Sequence, residues 1–211
     1  MQILLASNNK KKLIELQNII DGAGINGVTV VPLSHVASYP EPKEDGSSFA
    51  ENALIKARAG VAHTGLISVA DDSGLEVAAL NAMPGILSAR WSGAGHTDES
   101  NNALLLDQLA DVPDERRQAA FVSVCALVTP DGAEHVVEGR WEGRILREES
   151  GENGFGYDPL FVPAEEDAAG TQRSSAQLSS EEKNEISHRG RALRQLIPII
   201  QKLAQQEISA D

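Results

Sequence analysis

Two adjacent aspartates, Asp71 and Asp72, follow an apolar run at residues 66–70. The run predicts a buried strand, whose end would carry both carboxylates into a loop, with a tight turn at Ser73 and Gly74. Like charges held this close repel each other unless a cation lies between them. The pair therefore indicates a Mg²⁺ site at the edge of a sheet, and the alternative is an Asx turn with a capping role.

Two more charged residues could belong to this site. Glu44 lies in the charged loop 42–46, where it is either a second metal ligand or a solvated side chain. Lys56 lies beside the apolar stripe of a predicted helix. Its ammonium group either reaches inward to a phosphate or extends along its aliphatic stem to solvent.

A polar, lysine-rich segment follows the first predicted strand and precedes a helix. It consists of Ser7, Asn8, Asn9, Lys10, Lys11 and Lys12. A strand–loop–helix junction directs free backbone N–H groups at the loop, which favours a bound phosphate. Lysines at a helix start oppose the helix dipole, so they also favour an anionic ligand. The alternative is an N-cap with a solvated basic turn, since neither common glycine-rich phosphate motif occurs.

A glycine-rich loop with two aromatic residues occupies residues 150–159. It includes Phe155, Gly156, Tyr157 and Asp158. Such a loop can bend sharply and stack a flat ring on a nucleobase, and the alternative is a turn whose rings cover the core. Further on, Lys183, His188 and Arg189 could donate hydrogen bonds to a ligand, although a histidine in such a turn is commonly a surface residue.

Composition excludes several classes of protein. The net charge of −13 argues against a nucleic-acid partner, whereas a local basic cluster or a metal could still bind a small phosphate ligand. The single cysteine, Cys125, lies in an apolar run and indicates a reducing compartment. No segment has the length of a membrane span, and residues 1–7 predict a first strand rather than a secretion signal.

Hydrophobic patterns predict the elements that must position these residues. Strands are expected at 2–6, 28–32, 66–70, 119–128, 134–141 and 159–162, with a hairpin turn at 129–132. Helices are expected after Lys12, after a Ser48–Glu51 capping box, from Thr97, and from a Ser179–Glu182 capping pattern to a kink or restart at Pro198, with a frayed tail at 206–211. Early alternation and a late hairpin favour a mixed α/β sheet in one domain.

Six stretches carry a family resemblance when they are taken in order. They are SNNKKK (7–12), FAENALIKAR (49–58), ADDSGL (70–75), PGILSAR (84–90), GFGYDP (154–159) and SHRG (187–190). Together they resemble the inosine triphosphate pyrophosphatase family, also known as dITP/XTP pyrophosphatases. Ser7 stands where Thr is common in that family, and residues 43–46 form a variable stretch.

The resemblance implies a fold and an activity. The fold would be an elongated mixed twisted sheet flanked by helices, with two lobes around a nucleotide cleft in a single domain, residues 1–211. The activity would be Mg²⁺-dependent hydrolysis of ITP, dITP or XTP to the monophosphate and pyrophosphate, which clears deaminated purines from the nucleotide pool. The family is typically a cytoplasmic homodimer, with no nucleic-acid or membrane partner expected.

The resemblance also implies residue roles. Glu44 and Asp72 would hold Mg²⁺, and Asp72 would be the general base. Because a bound cation lowers the basicity of a carboxylate, Asp71 or Glu51 could share either role. The substrate would be bound by Ser7 to Lys12, Lys56, Ser73, Phe155 to Asp158, Lys183, His188 and Arg189.

Base selectivity would come from donors. His188 and Arg189 facing the 6-oxo group of hypoxanthine would leave donors unpaired against the amino group of adenine, at roughly 1–3 kcal/mol per group.

Three other functions are weighed against this one. A Maf-like enzyme for modified pyrimidine nucleotides is disfavoured by the SHRG and FGYD stretches. A nucleotide-sensing module without hydrolysis is disfavoured by the Asp71–Asp72 pair. A Nudix enzyme is disfavoured because Arg147-Glu148-Glu149 lacks the upstream glycine and glutamate at the required spacing.

Overall fold

The computed structural model describes residues 1–208 of the chain. Seven strands form one mixed sheet in the order β2-β1-β3-β5-β6-β7, and β4 pairs with β3. The strands are β1 Gln2–Leu5, β2 Thr29–Pro32, β3 Ile67–Val77, β4 Met83–Pro84, β5 Gln118–Val128, β6 Glu134–Ile145 and β7 Phe161–Pro163. The helices are α1 Lys10–Gly22, α2 Phe49–Thr64, α3 Asp98–Gln108, α4 Ala164–Ala168, α5 Ser180–Ile186 and α6 His188–Ile208.

The pairing of the strands confirms the predicted mixed α/β class. β1 is parallel to both β2 and β3, with Ile3 opposite Val30 on one side and Ile67 on the other. β3 is antiparallel to β4, and β6 is antiparallel to β7. In the part of the chain that the structure describes, no helix is long and apolar enough to cross a membrane.

Two compact units each contain an apolar core. Unit 1 comprises Met1–Asp72, Ser123–Gly139 and the described residues from Gly190 onward, and unit 2 comprises Ser73–Val122 and Arg140–Arg189. Core residues of unit 1 include Ile3, Leu16, Ile20, Val69, Leu127, Leu196 and Ile200. Core residues of unit 2 include Leu75, Leu105, Leu109, Phe121, Trp141 and Phe161. The expected single domain with two lobes around a cleft stays a prediction.

The predicted turn after the aspartates is wrong, because β3 continues through them to Val77. Leu75 and Val77 are fully buried in the unit 2 core, so apolar burial extends the strand beyond the first apolar run. Successive side chains of a strand point to opposite faces of its sheet. Asp71 and Asp72 therefore lie within a strand and contact different lysines, instead of projecting together from a loop.

The C-terminal helical region breaks earlier than expected. The predicted Ser179–Glu182 capping box is present and begins α5. Ser187 is extended, with φ −67° and ψ 157°, and it separates α5 from α6. Pro198 lies inside α6, so the helix does not restart there, and the predicted kink stays a prediction. Of the predicted frayed tail, residues 206–208 are helical and residues 209–211 lie outside the described residues.

Candidate active site

The polar segment after β1 forms the N-cap of α1, as one of the two sequence interpretations expected. Asn9 Oδ1 accepts hydrogen bonds from the backbone N–H groups of Lys11 at 2.9 Å and Lys12 at 3.4 Å. Ser7 Oγ accepts from the Asn9 N–H at 3.2 Å. Asn8, Lys10 and Lys11 are exposed, whereas Lys12 is half-buried. Capping by Asn9 directs Lys12 inward and leaves the other two lysines at the surface.

Lys12 binds the first aspartate of the pair. Its Nζ donates to both carboxylate oxygens of Asp71 at 2.8 Å. Asp71 is only 6% exposed, so this ammonium group neutralises a carboxylate that would be costly to bury alone. A phosphate bound at Lys12 would share the ammonium group with Asp71.

Lys56 lies between two other carboxylates. Its Nζ is 2.9 Å from Glu44 Oε2 and 3.4 Å from Asp72 Oδ1. Burial on its own would lower the pKa of Lys56, but the charges of Asp72, Glu44 and Asp71 outweigh it and raise that pKa. Lys56 is therefore a firmly protonated cation, and Glu44 and Asp72 share it.

The environment of Asp72 increases its affinity for a proton. Burial raises the pKa of this carboxyl, and the opposing effects of Lys56 and Asn52 do not cancel it. The negative charge of Glu44 adds to the increase. A carboxylate with a raised pKa accepts a proton at neutral pH more readily than an ordinary aspartate, which is what a general base requires.

Asn52 is a site residue that the sequence analysis missed. It is 2% exposed; its Oδ1 accepts from the Gly46 N–H at 2.9 Å, and its Nδ2 donates to Asp72 Oδ2 at 3.1 Å. A Cβ at Gly46 would lie 2.7 Å from Asn52 Oδ1, so this close approach requires glycine. The available signal was a polar residue inside the alanine-rich apolar stripe of α2.

Glu51, which could share the base or the metal role, lies at the start of α2. Ser48 caps α2 by accepting from the Glu51 N–H at 3.2 Å. The Glu51 carboxylate accepts from the backbone N–H of Ser47 at 2.6 Å and from its hydroxyl at 2.8 Å. These hydrogen bonds, the backbone one first, lower the pKa of Glu51. A lowered pKa makes Glu51 a poorer proton acceptor than Asp72.

A cavity of about 630 Å³ lies within unit 1. Residues with predicted site roles line it: Ser7, Asn8, Asn9, Lys12, Glu44 and Lys56, together with Asp71. Tyr39 also lines it, and its ring stacks on the ring of His63 with centroids 4.7 Å apart and planes 7° apart. This stack connects α2 to the loop that carries Glu44, and neither ring was predicted to have a role.

The donors of this cluster suit a magnesium ion in part. Glu44 and Asp72 already approach one cationic group, and Mg²⁺ is commonly bound through one or two carboxylates, waters and substrate phosphates. Within residues 1–208, no three His, Cys, Asp or Glu side chains form a group that could hold a metal. The two carboxylates therefore fit a metal whose other ligands come from solvent and a bound phosphate.

In unit 2, the glycine-rich loop presents one ring and buries the other. The Phe155 side chain is 57% exposed, and Lys183 Nζ lies 5.4 Å from its ring centroid. Tyr157 is buried, and its hydroxyl donates to the Ser88 carbonyl at 2.8 Å. Burial, with a smaller effect of Asp98, raises the pKa of Tyr157. Phe155 thus remains a candidate stacking platform, whereas Tyr157 belongs to the core.

Asp158 is a buried acceptor that binds the backbone of this loop. It is 2% exposed and accepts from the Phe155 N–H at 2.9 Å, from Ser175 Oγ at 2.6 Å and from Lys183 Nζ at 2.5 Å. A Cβ at Gly154, where φ is +85°, would lie 2.1 Å from Asp158 Oδ2. Asp158 and Gly154 therefore shape the backbone beneath Phe155, and Ser175 is a member of the group that the sequence analysis missed.

His188 is buried, so the surface interpretation is wrong for it. It is 8% exposed and is the first residue of α6. Its ring stacks on Phe121 with centroids 5.1 Å apart and on Trp141 with centroids 6.3 Å apart. Arg189 and Ser73 are half-buried. The aromatic neighbours fix the orientation of the imidazole, and neither Phe121 nor Trp141 was expected next to His188.

The fold and these residues define a class of α/β proteins that combine a carboxylate–lysine cluster with an exposed ring on a glycine-rich loop. The model of the Ham1 family matches residues 3–199, and the chain belongs to this family. The predicted family resemblance is thereby confirmed.

Named relatives support this assignment along nearly the whole chain. A protein from Corynebacterium diphtheriae named dITP/XTP pyrophosphatase is 67% identical over 200 residues, which cover 95% of this chain and 97% of that protein. The crystal structure of a nucleoside-triphosphatase/dITP/XTP pyrophosphatase from Mycobacterium abscessus is 60% identical, with a TM-score of 0.79, and covers 95% and 100% of the two chains. A HAM1 protein structure from Coxiella burnetii is 42% identical, with a TM-score of 0.86, and covers 96% and 99%.

Proposed function

We propose that this protein hydrolyses non-standard purine nucleoside triphosphates such as ITP, dITP and XTP to the monophosphate and pyrophosphate. The observation that carries the proposal is Lys56 held between Glu44 and Asp72 in a Ham1 chain. Relatives that are 67% and 60% identical bear the name of this activity. Such an enzyme would remove deaminated purines from the nucleotide pool.

Mg²⁺ is the cofactor we propose, and Glu44 and Asp72 would hold it. When bound, Mg²⁺ would neutralise charge on the phosphate oxygens. Three carboxylates, Glu44, Asp71 and Asp72, face two ammonium groups, Lys12 and Lys56, and this excess of negative charge favours an additional cation. A cation at Glu44 and Asp72 would release the Lys56 ammonium group for a phosphate oxygen.

In this proposal, the side chains position the triphosphate and move one proton. Lys12 and Lys56 would bind phosphate oxygens, assisted by Ser7, Asn8, Asn9, Lys10, Lys11, Ser73 and Lys183. Asp72, oriented by Asn52, would accept a proton from the water that attacks the α-phosphorus as pyrophosphate leaves. Phosphoryl and nucleotidyl transfers depend mainly on positioning and charge stabilisation, which this cluster supplies.

Recognition of the base is proposed for unit 2. Phe155 would stack on the purine, with Gly156, Tyr157 and Asp158 shaping its loop, and His188 and Arg189 would donate to the 6-oxo group. His188→Ala should narrow the preference for ITP over ATP, because the adenine amino group no longer faces an unpaired donor. The ratio is measured within one variant, so a changed folded fraction cancels. An unchanged ratio would remove His188 from base recognition.

The deciding experiment is a substrate panel with product identification. Pyrophosphate and orthophosphate release would be measured for ITP, dITP, XTP, ATP, GTP, dUTP and methylated UTP, with Mg²⁺ and with EDTA. We expect Mg²⁺-dependent pyrophosphate release, fastest with ITP, dITP or XTP. A preference for the uridine nucleotides would support the Maf-like alternative, and binding without hydrolysis would support a sensing module.

A cytoplasmic homodimer is proposed from the family resemblance alone. Sedimentation velocity of the purified protein would test the oligomeric state, and a single monomeric species at micromolar concentration would contradict it.

A further inference from the structure

The backbone of Gly156 is held on both sides by one helix. The Gly156 N–H donates to Asp98 Oδ2 at 2.7 Å, and Asn102 Nδ2 donates to the Gly156 carbonyl at 3.1 Å. Asp98 and Asn102 are four residues apart on α3, so they lie on one face, one turn from each other. We call this arrangement of Asp98, Asn102 and Gly156 the Gly156 clamp.

The helix that provides the clamp is well anchored. Leu105 and Leu109 at its C-terminal end are fully buried in the unit 2 core. Asn101 Nδ2 donates to the Ala89 carbonyl at 3.1 Å, and its Oδ1 accepts from the Ser92 N–H at 2.8 Å. A group that is bound to such an element is positioned more precisely than one on a free loop.

The clamp acts directly on the residue before Gly156. The Phe155 N–H is bound by Asp158 at 2.9 Å, and the next N–H along the chain is the one bound by Asp98. Both peptide groups that flank the Phe155 Cα are therefore fixed, although its side chain is 57% exposed. Gly156 has φ +60°, a conformation that a side chain would disfavour and that the two α3 contacts maintain.

We propose that Asp98 and Asn102 are positioning residues for purine recognition, which hold the Phe155 ring in its stacking orientation before a nucleotide binds. This inference rests on the proposed function, because Phe155 has a purine to stack on only in that case. Without the clamp, the loop would have to be ordered during binding, and the lost conformational entropy would weaken affinity for any base-bearing ligand. Ligands that lack a base would be unaffected.

The test compares ligands with and without a base on four variants of the full-length protein. Asp98→Ala removes the acceptor for the Gly156 N–H, whereas Asp98→Asn keeps an oxygen that can accept it. Glu99→Ala is the matched control, since it removes the neighbouring acid of the same helical turn. The measurements are calorimetric binding of IMP, inhibition by inorganic tripolyphosphate, kcat and KM for ITP, and the thermal midpoint.

Asp98→Ala should weaken IMP binding and raise KM for ITP by about tenfold, which corresponds to the loss of one charge-assisted hydrogen bond. Inhibition by tripolyphosphate and kcat at saturating ITP should stay within about twofold of the wild-type values. Neither depends on how the Phe155 ring is oriented before a nucleotide binds. Asp98→Asn should restore most of the affinity, and Glu99→Ala should match the wild type. Asn102→Ala should weaken IMP binding in the same selective way.

Two results would overturn the inference. One is IMP affinity in Asp98→Ala equal to that of the wild type. The other is an equal loss of IMP and tripolyphosphate binding, which would indicate general damage to the fold. A wild-type protein that neither binds IMP nor hydrolyses ITP would instead refute the proposed function, and this inference with it.

Discussion

Each unit places a lysine against an aspartate, half-buried Asp72 in unit 1 and buried Asp158 in unit 2, and the two pairs differ in how fully the aspartate is bound. In unit 2, Asp158 accepts from a backbone N–H, a serine hydroxyl and Lys183, all within 2.9 Å. In unit 1, Asp72 accepts from Asn52 at 3.1 Å and from Lys56 at 3.4 Å. The Asp72 side chain is 16% exposed and the Asp158 side chain 3%.

The comparison separates an ion pair whose aspartate is fully hydrogen-bonded from one whose aspartate can exchange partners. Short bonds from three directions fix Asp158, so its loss should be felt as lost stability. The longer contacts of Asp72, and the competition of Glu44 for the same ammonium group, leave its carboxylate able to bind something else. Replacement by Asn should therefore mainly lower catalytic activity at Asp72 and mainly lower the free energy of unfolding at Asp158.

The largest expected effect is on activity in unit 1. Asp72→Asn removes the proposed proton acceptor, and pyrophosphate release from ITP should fall by about 10³-fold, within the usual range for loss of a general base. A coupled pyrophosphate assay measures it, and nucleotide binding should remain measurable by calorimetry. Asp45→Asn, at an exposed acid next to Glu44, is the control and should be close to wild type. Near-normal turnover in Asp72→Asn would eliminate its role.

The next effect is on stability in unit 2. Asp158→Asn leaves Lys183 opposite a neutral side chain and breaks a buried ion pair, so the free energy of unfolding should fall by about 3 kcal/mol. Urea titration measures it. Asp72→Asn should change the unfolding free energy by less than about 1 kcal/mol, because Lys56 keeps Glu44 as a partner at 2.9 Å. Equal losses of unfolding free energy in the two variants would contradict the proposed difference between the two ion pairs.

A smaller effect is expected in the pH dependence of stability. The pKa of Asp72 is raised in the folded protein, mainly by burial, so the folded state binds this proton more tightly than the unfolded state. The resulting stabilisation is present below the unfolded pKa and is lost as the pH rises through the folded pKa. Asp72→Asn should therefore gain stability relative to the metal-free wild type between about pH 3 and pH 7. Urea titrations measure the difference in unfolding free energy between the variant and the wild type at both pH values. An equal difference at both would contradict the prediction.

The smallest effect is expected at the Tyr39–His63 stack of unit 1. Tyr39→Ala removes the stack on His63 and loosens the loop that carries Glu44, so KM for ITP should rise about threefold, in line with a weak aromatic pair. Tyr39→Phe keeps the ring and should behave as the wild type. If both variants have the wild-type KM, the stack does not position the loop.

The sequence was enough to predict the class of fold, the family and most of the charged residues of the candidate site. Period-two and helical patterns marked most of the elements, because each alternation of apolar residues reflects a face that must be buried. Asn9, Lys12 and Glu44 were found because charged and capping residues near a strand end or helix start have local physical consequences, and Lys56 was found as a charge beside an apolar helix stripe.

The partners of those residues are set by the packing of elements that are far apart in the chain. The sequence placed Asp71 and Asp72 in a turn, since nothing local shows that Leu75 and Val77 continue the same strand into a second core. No sequence pattern assigned a site role to Asn52, Asp98, Asn102 or Ser175, whose hydrogen bonds join groups distant in the chain. Such pairings depend on packing between elements, and a pattern within one segment carries no information about them.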